Sequence, residues 1–213
     1  MSIAVEPAGG PIRAARPEDI GATTVLGVSP SLKPAPTSGG RSAAFSLLSF
    51  ALKALEGARV DVALLNLRDV PLPFFDGRLP TQRDDEGLQV ALRCVERAGG
   101  LFIAVPAYWS GVSGVFKNFI DTLCGPAYDL PDPVTTVFTG KPVALLVVGA
   151  DEASAEAGAR EAPRIVESAG ARVVSVPVSV ANPRRGFADA PELSRRLILL
   201  GGELAYAVHG EQP

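Results

Sequence analysis

Two stretches of the chain carry residue types at spacings that could do chemistry. The first, Ser29-Pro30-Ser31-Leu32-Lys33-Pro34-Ala35-Pro36-Thr37-Ser38-Gly39-Gly40-Arg41-Ser42, gathers hydroxyls, glycines and two cations. It runs directly into a helical pattern with Phe45, Leu48, Leu52 and Leu55 on one face. Unpaired backbone N–H groups at a helix start, hydroxyl donors and a guanidinium are the parts that hold a phosphate. Ser38 or Ser42 acting only as a helix cap is the competing reading, because caps use the same residue types. The position directly after a first strand favours the anion site. The stretch matches neither GxxxxGK[ST] nor GxGxxG, which sets aside a P-loop hydrolase and a Rossmann dehydrogenase. The second stretch is Pro106-Ala107-Tyr108-Trp109-Ser110, followed by Gly111 to Asp121. Two adjacent rings after a strand end cannot both enter one core face, so either Tyr108 or Trp109 is expected to meet a ligand or a partner, against the alternative that both are core aromatics.

These loops need elements to position them. Thr23 to Val28 is β-prone, and Arg59 to Leu67 alternates and then turns apolar, as an edge strand would. Leu101 to Val105 is short, uncharged and preceded by Gly99-Gly100, the pattern of a strand buried on both faces. Pro106 cannot donate to a ladder, so the chain is expected to leave the sheet there. Pro142 to Val148 and Ala171 to Val176 complete five strands. Helical spacing follows each: from about Ser42, Glu86 to Ala98, from about Gly114, Ala155 to Ala169, and a last helix through Leu193, Leu197, Leu200, Leu204 and Val208. Arg68 to Asp85 and Gly125 to Gly140 are long irregular segments, and loops of that length are more often functional than idle. Phe74 and Phe75 are expected either against the core or at a subunit contact.

Strands alternating with helices require a parallel sheet covered on both faces. The fold class is therefore α/β, a flavodoxin-like doubly wound five-stranded parallel sheet of order 2-1-3-4-5 with helices on both faces. Residues 1–21 are expected to be a flexible tail and residues 22–210 a single domain, since 213 residues support one sizeable core. A formal charge of −3 with dispersed basic residues leaves no footprint for nucleic acid. No apolar run of membrane-spanning length and no signal-like opening is present, so no membrane partner and a cytoplasmic location are expected. Cys94 and Cys124 lack neighbours at metal-ligand spacing and read as buried free thiols, so no metal site is assigned. His209, the only histidine, is expected to be solvent-exposed or to cap the last helix. Lys117 and Asp121, four apart on one helix, read as an exposed pair or, alternatively, as neighbours of a cofactor loop.

In this strand order the first and third strands flank the switch point, so the two loops become neighbours. A phosphate held on the first and a planar ring along the second describe flavin mononucleotide, with the loop after the fourth strand closing the other side. Gly27-Val28-Ser29-Pro30-Ser31-Leu32-Lys33-Pro34, Leu67-Arg68-Asp69-Val70-Pro71-Leu72-Pro73 with Phe75-Asp76-Gly77, Pro106-Ala107-Tyr108-Trp109 through Ser113-Gly114-Val115-Phe116-Lys117-Asn118-Phe119-Ile120-Asp121, and Gly140-Lys141-Pro142-Val143-Ala144 together resemble the NAD(P)H-dependent FMN reductase family. The resemblance implies a flavodoxin-like fold, non-covalent FMN, NAD(P)H as donor, and a homodimer or homotetramer that reduces a flavin, a quinone or another small-molecule acceptor. It implies that Ser29, Ser31, Lys33, Ser38, Arg41 and Ser42 surround the phosphate. Pro106, Ala107, Tyr108, Trp109 and Ser110 would follow the ring and ribityl chain, with Gly149 and Ala150 against the ring's other side. Lys33 stands where the family usually has Arg, and Val148-Gly149-Ala150-Asp151-Glu152 replaces a Thr-Gly-Gly type loop. No side chain is assigned as a catalytic acid or base, because the cofactor carries the reaction. A flavodoxin-type electron carrier and a non-catalytic binding protein that retains the fold are the alternatives.

Overall fold

A computed structural model describes residues 10–33, 42–126, 135–181 and 190–210. Five strands make the main sheet path: β1 (Val25–Ser29), β2 (Val62–Asn66), β3 (Gly100–Tyr108), β5 (Pro142–Gly149) and an edge strand in two pieces, β6 (Arg172–Val173) and β7 (Val178–Ala181). The order is β2-β1-β3-β5-β6, with β7 also paired to β5 and all of these pairs parallel. A two-residue strand, β4 (Gly111–Val112), pairs antiparallel with the end of β3. Six of the seven strand segments thus realise the five-strand doubly wound order, with β4 an added hairpin strand, and the flavodoxin-like class holds.

Continuous apolar strands are explained by helices on both faces. Along β3, Leu101, Ile103, Val105 and Ala107 pack toward α2 (Glu86–Arg97), α3 (Gly114–Cys124) and α4 (Glu152–Ser168). The alternate residues Phe102 and Ala104 face α1 (Ala43–Gly57) and α5 (Pro191–His209). Gly158 lets α4 close on the sheet: a Cβ there would lie 2.8 Å from the Ala107 Cβ and 2.9 Å from a Val147 methyl.

Three expectations change. β3 does not stop at Pro106 but continues to Tyr108. The Pro106 carbonyl accepts from Ser113 N at 2.8 Å, so its missing N–H lies on that same side, beyond the last residue of β4, where no ladder donor is needed. The fifth strand, expected to end at Val176, breaks after Val173 and resumes at Val178. Val176, between the pieces, is exposed, and Pro177 removes a ladder donor at the break. Within residues 11–20, expected to belong to a flexible tail, Arg13 to Ala15 lie against the outer edge of β2. Leu64 N donates to Arg13 O and Ala15 N to Leu64 O, each at 2.9 Å, and Ile20 enters the core. Apolar residues so widely spaced leave no periodic signal, yet the strip covers a sheet edge that would otherwise invite pairing.

Candidate functional site

The carboxyl ends of β1, β3 and β5 present the loops that the sequence singled out. Ser29 ends β1 fully buried, and its hydroxyl finds no hydrogen-bond partner among the described residues. Ser31 and Ser42 are also buried, and the Ser42 hydroxyl donates to Ser31 Oγ at 2.9 Å while accepting from Phe45 N at 3.2 Å. Ser42 is therefore the N-cap of α1, as the competing reading held, and through Ser31 it ties the helix start to the β1 loop. The cap accepts from one first-turn N–H and leaves other donors at the positive end of the helix. Ser38 and Arg41 lie outside the described residues.

The loops after β1 and β3 meet. Lys33 Nζ sits 5.3 Å from the centroid of the Tyr108 ring, a cation–π contact across the switch point. A further cation, to which the sequence reading gave no role at the site, joins them: Arg68, just past β2, donates to the Leu32 carbonyl at 2.6 Å and braces the β1 loop. The neighbouring Leu67 N donates to Ser29 O at 3.1 Å, so the β1 and β2 ends are closed together.

After β3 the chain makes a two-residue hairpin into β4, with Trp109 at φ 53° and Ser110 at φ 57°. Two positive φ values are what a type I′ turn requires, and the usual occupants are Asn and Gly. An aromatic residue there is strained, and such strain persists only where surrounding contacts enforce it. The contacts come from α4: the buried Ser154 hydroxyl accepts from Ser110 N at 3.2 Å, and Glu161 Oε2 accepts from Val112 N at 2.9 Å. The hairpin thus holds Trp109 out in solvent, 98% exposed, and Tyr108 half-buried beside Lys33. Pro106 and Ala107 are buried, and Ala107 belongs to the core, so it offers the site only backbone atoms.

The loop after β5 resolves the acidic departure at Asp151. Its carboxylate accepts from Ser154 N at 2.7 Å and caps α4. The backbone hydrogen bond from Ser154, then its side-chain one, hold the Asp151 carboxyl below the usual range. That charge is engaged at a helix N-terminus instead of being turned toward a ligand. Gly149 is required by close approach, since a Cβ would fall 2.4 Å from Ala155 N. Ala150 N donates to Ala107 O at 3.0 Å, which locks the β5 loop to the end of β3.

The irregular segment 68–85 is a built structure beside α3. Asn118 accepts from Phe75 N and donates to Pro73 O, each at 2.9 Å. The buried Arg83 reaches Asp76 at 3.0 Å, Asp85 at 2.9 Å and the Phe74 carbonyl at 3.1 Å. Hydrogen bonding from Arg78, more than the charge of Arg83, brings Asp76 down to about 2. Phe75 is half-buried and Phe74 is 88% exposed. Lys117 pairs with Asp121 on the outside of α3, the plain reading of that spacing. Asn118, Ser154 and Glu161 were not legible as site residues because their partners lie more than forty positions away in sequence, and Arg83, whose partners are near, sits in a segment without periodicity. For Asn118, the only advance signal was its place in the Lys117-Asn118 motif.

No helix among the described residues is long and apolar enough to cross a membrane. A family model described as NADPH-dependent FMN reductase matches residues 24–183. No curated protein matches the chain in sequence. Among solved structures, an NADH:FMN oxidoreductase (EMOB) in its apo form is 19% identical over 90% of this chain and 92% of its own, with a TM-score of 0.66. FerB, an NAD(P)H:(acceptor) oxidoreductase from Paracoccus denitrificans, is 18% identical over 87% of this chain and 95% of its own, with a TM-score of 0.60. Flavodoxin 1 from Bacillus cereus is 16% identical over 85% of this chain and 95% of its own, with a TM-score of 0.51. At these identities the three structures establish the fold alone.

Proposed function

The chain belongs to the NADPH-dependent FMN reductase family, and from that premise we propose which residues hold the cofactor, which second substrate is served and how copies assemble. It is an FMN-dependent oxidoreductase with a reduced nicotinamide as donor. When bound, FMN supplies the redox step, taking a hydride from the nicotinamide and passing electrons onward, so the protein supplies position and electrostatics.

The residues present fit the phosphate. The observation that carries the assignment is the buried Ser29 hydroxyl at the end of β1, without a partner among the described residues, beside the Ser31–Ser42 pair at the start of α1. A buried hydroxyl without a partner costs free energy, and a phosphate oxygen is the acceptor that a site of this composition would admit. Ser29 and Ser31 then donate to the phosphate, Ser42 holds the Ser31 hydroxyl in place from the start of α1, and Lys33, Ser38 and Arg41 supply donors and charge. The strained hairpin carries the ring: Tyr108 and the backbone of Pro106, Ala107 and Ser110 line one side, and Gly149 and Ala150 the other. Backbone N–H groups at the ends of β3 and β5 would favour negative charge on the ring. Trp109 offers its indole to the second planar substrate, a flavin, a quinone or another small acceptor. Both cysteines are free thiols, which supports a reducing compartment and hence the cytoplasm. Self-association as a homodimer or homotetramer completes the reading, supported by the exposed Phe74 and by the outer face of α5.

The test is the visible spectrum of the purified protein after loading with FMN and removing the excess, followed by anaerobic NADPH. Retained flavin that bleaches rapidly is the expected result. Retained flavin that stays oxidised would replace the reductase with an electron carrier, and no retained flavin would overturn the site assignment.

A further inference from the structure

The outward face of α5 carries large apolar residues and a glycine among its charges. Its buried stripe, Leu197, Leu200, Gly201, Leu204 and Val208, packs on the sheet and α1. On the opposite side, at helical spacing, lie Glu192, Arg195, Leu199, Gly202 and Tyr206, flanked by Arg196, Ile198 and Glu203. Leu199 is 56% exposed, Ile198 50% and Tyr206 79%. Gly202 sharpens the point. Gly201 sits against Leu55, 3.4 Å from where its Cβ would be, whereas a Cβ at Gly202 would meet nothing within 4 Å. A glycine in a helix interior is unfavourable relative to alanine, and packing among the described residues does not call for one at Gly202.

We propose that this face is a homotypic interface, on which two copies pack their α5 helices antiparallel about a twofold axis through Leu199. This rests on the self-association put forward above and is independent of flavin binding. The charges select the occupant and the register. In an antiparallel pair, positions equidistant from the axis face each other. With the axis at Leu199, Arg195 faces Glu203 of the second copy, and the reciprocal pair forms on the other side. Glu192 meets the Tyr206 hydroxyl, and Arg196 lies over Gly202, whose lack of a side chain admits the close approach. Moving the axis to Gly202 would set Arg195 against His209 and lose both Arg–Glu pairs, and parallel helices would set Arg195 on Arg195. Among the described residues, none of Glu192, Arg195, Arg196 and Glu203 has an ion-pair partner within the chain. One helix pair is a small interface, so the association is concentration-dependent.

Sedimentation and light scattering across a dilution series test this on the full chain, with the far-UV circular dichroism of each variant as the control for folding. Leu199→Asp is expected to halve the mass of the wild-type assembly. Arg195→Glu or Glu203→Arg alone puts like charges face to face and is expected to weaken association about tenfold or more. Combining Arg195→Glu with Glu203→Arg is expected to restore it, because the swapped charges again face opposite signs. Wild-type protein that is monomeric at every concentration would overturn self-association altogether. An assembly untouched by Leu199→Asp would overturn only the α5 surface, and failure of the double variant to recover would overturn the Leu199-centred register.

Discussion

Replacing Ser29 with alanine should stabilise the empty protein and weaken the loaded one. The Ser29 hydroxyl is fully buried and without a partner among the described residues. Leaving a hydroxyl in that state costs about 1–3 kcal/mol. Removing one oxygen from a packed strand end leaves a void that offsets part of the gain, so the net stabilisation should be about 1 kcal/mol. In a protein of this length that corresponds to a rise in Tm of about 2–4 °C. With FMN bound, the same hydroxyl donates to a charged phosphate oxygen, a bond with a net value of about 1.5–3 kcal/mol. Its loss should weaken FMN binding by about 10- to 150-fold. Thermal unfolding of the flavin-free protein measures the first effect, and titration with FMN, followed by quenching of flavin fluorescence, measures the second. The opposite signs make the test sharp. A variant that loses stability without flavin, or that binds FMN within twofold of wild type, would refute the placement of the phosphate at the end of β1.

Asn118→Ala removes both hydrogen bonds that pin residues 73–75, with a cost of about 2 kcal/mol; limited proteolysis should then cut within 68–85 well before the core unfolds. Trp109→Ala should change stability by less than about 0.5 kcal/mol because the indole is exposed, yet raise KM for the nicotinamide or the acceptor, which steady-state kinetics would show. Gly158→Ala gains helix propensity of about 1 kcal/mol but drives a methyl into Ala107 and Val147, an overpacking cost of about 1–3 kcal/mol, so denaturant unfolding should show net destabilisation. Burial pushes the Cys94 thiol up to about 11 and the Cys124 thiol up to about 12. Both should resist a thiol reagent at pH 8 until the protein is unfolded. Because their folded values are raised, the stability they contribute is intact below about pH 9 and falls as pH climbs toward 11–12, which unfolding at stepped alkaline pH would report.

The kinds of elements, their order and the end of the sheet that carries the candidate site were legible in the amino-acid pattern alone. Uncharged apolar runs such as Leu101 to Val105 can only be buried strands here, helical spacing follows each strand, and right-handed crossovers leave few arrangements. The neighbouring loops after β1 and β3 were therefore legible before any coordinates. Tertiary structure decided the details on which the chemistry depends. β3 passes through Pro106 because Ser113 comes back to its carbonyl. The hairpin accepts a tryptophan at positive φ because Ser154 and Glu161, 44 and 49 residues from their partners, hold it from α4. Asp151, which in sequence looks like a charge set against the ring, turns into the cap of α4. Segments 11–20 and 68–85, which read as tail and loop, are fixed by β2 and by Asn118 with Arg83. Periodicity is a local property and survives in one dimension. A hydrogen bond between residues more than forty positions apart leaves no periodic trace, and becomes visible only when packing brings its two ends together.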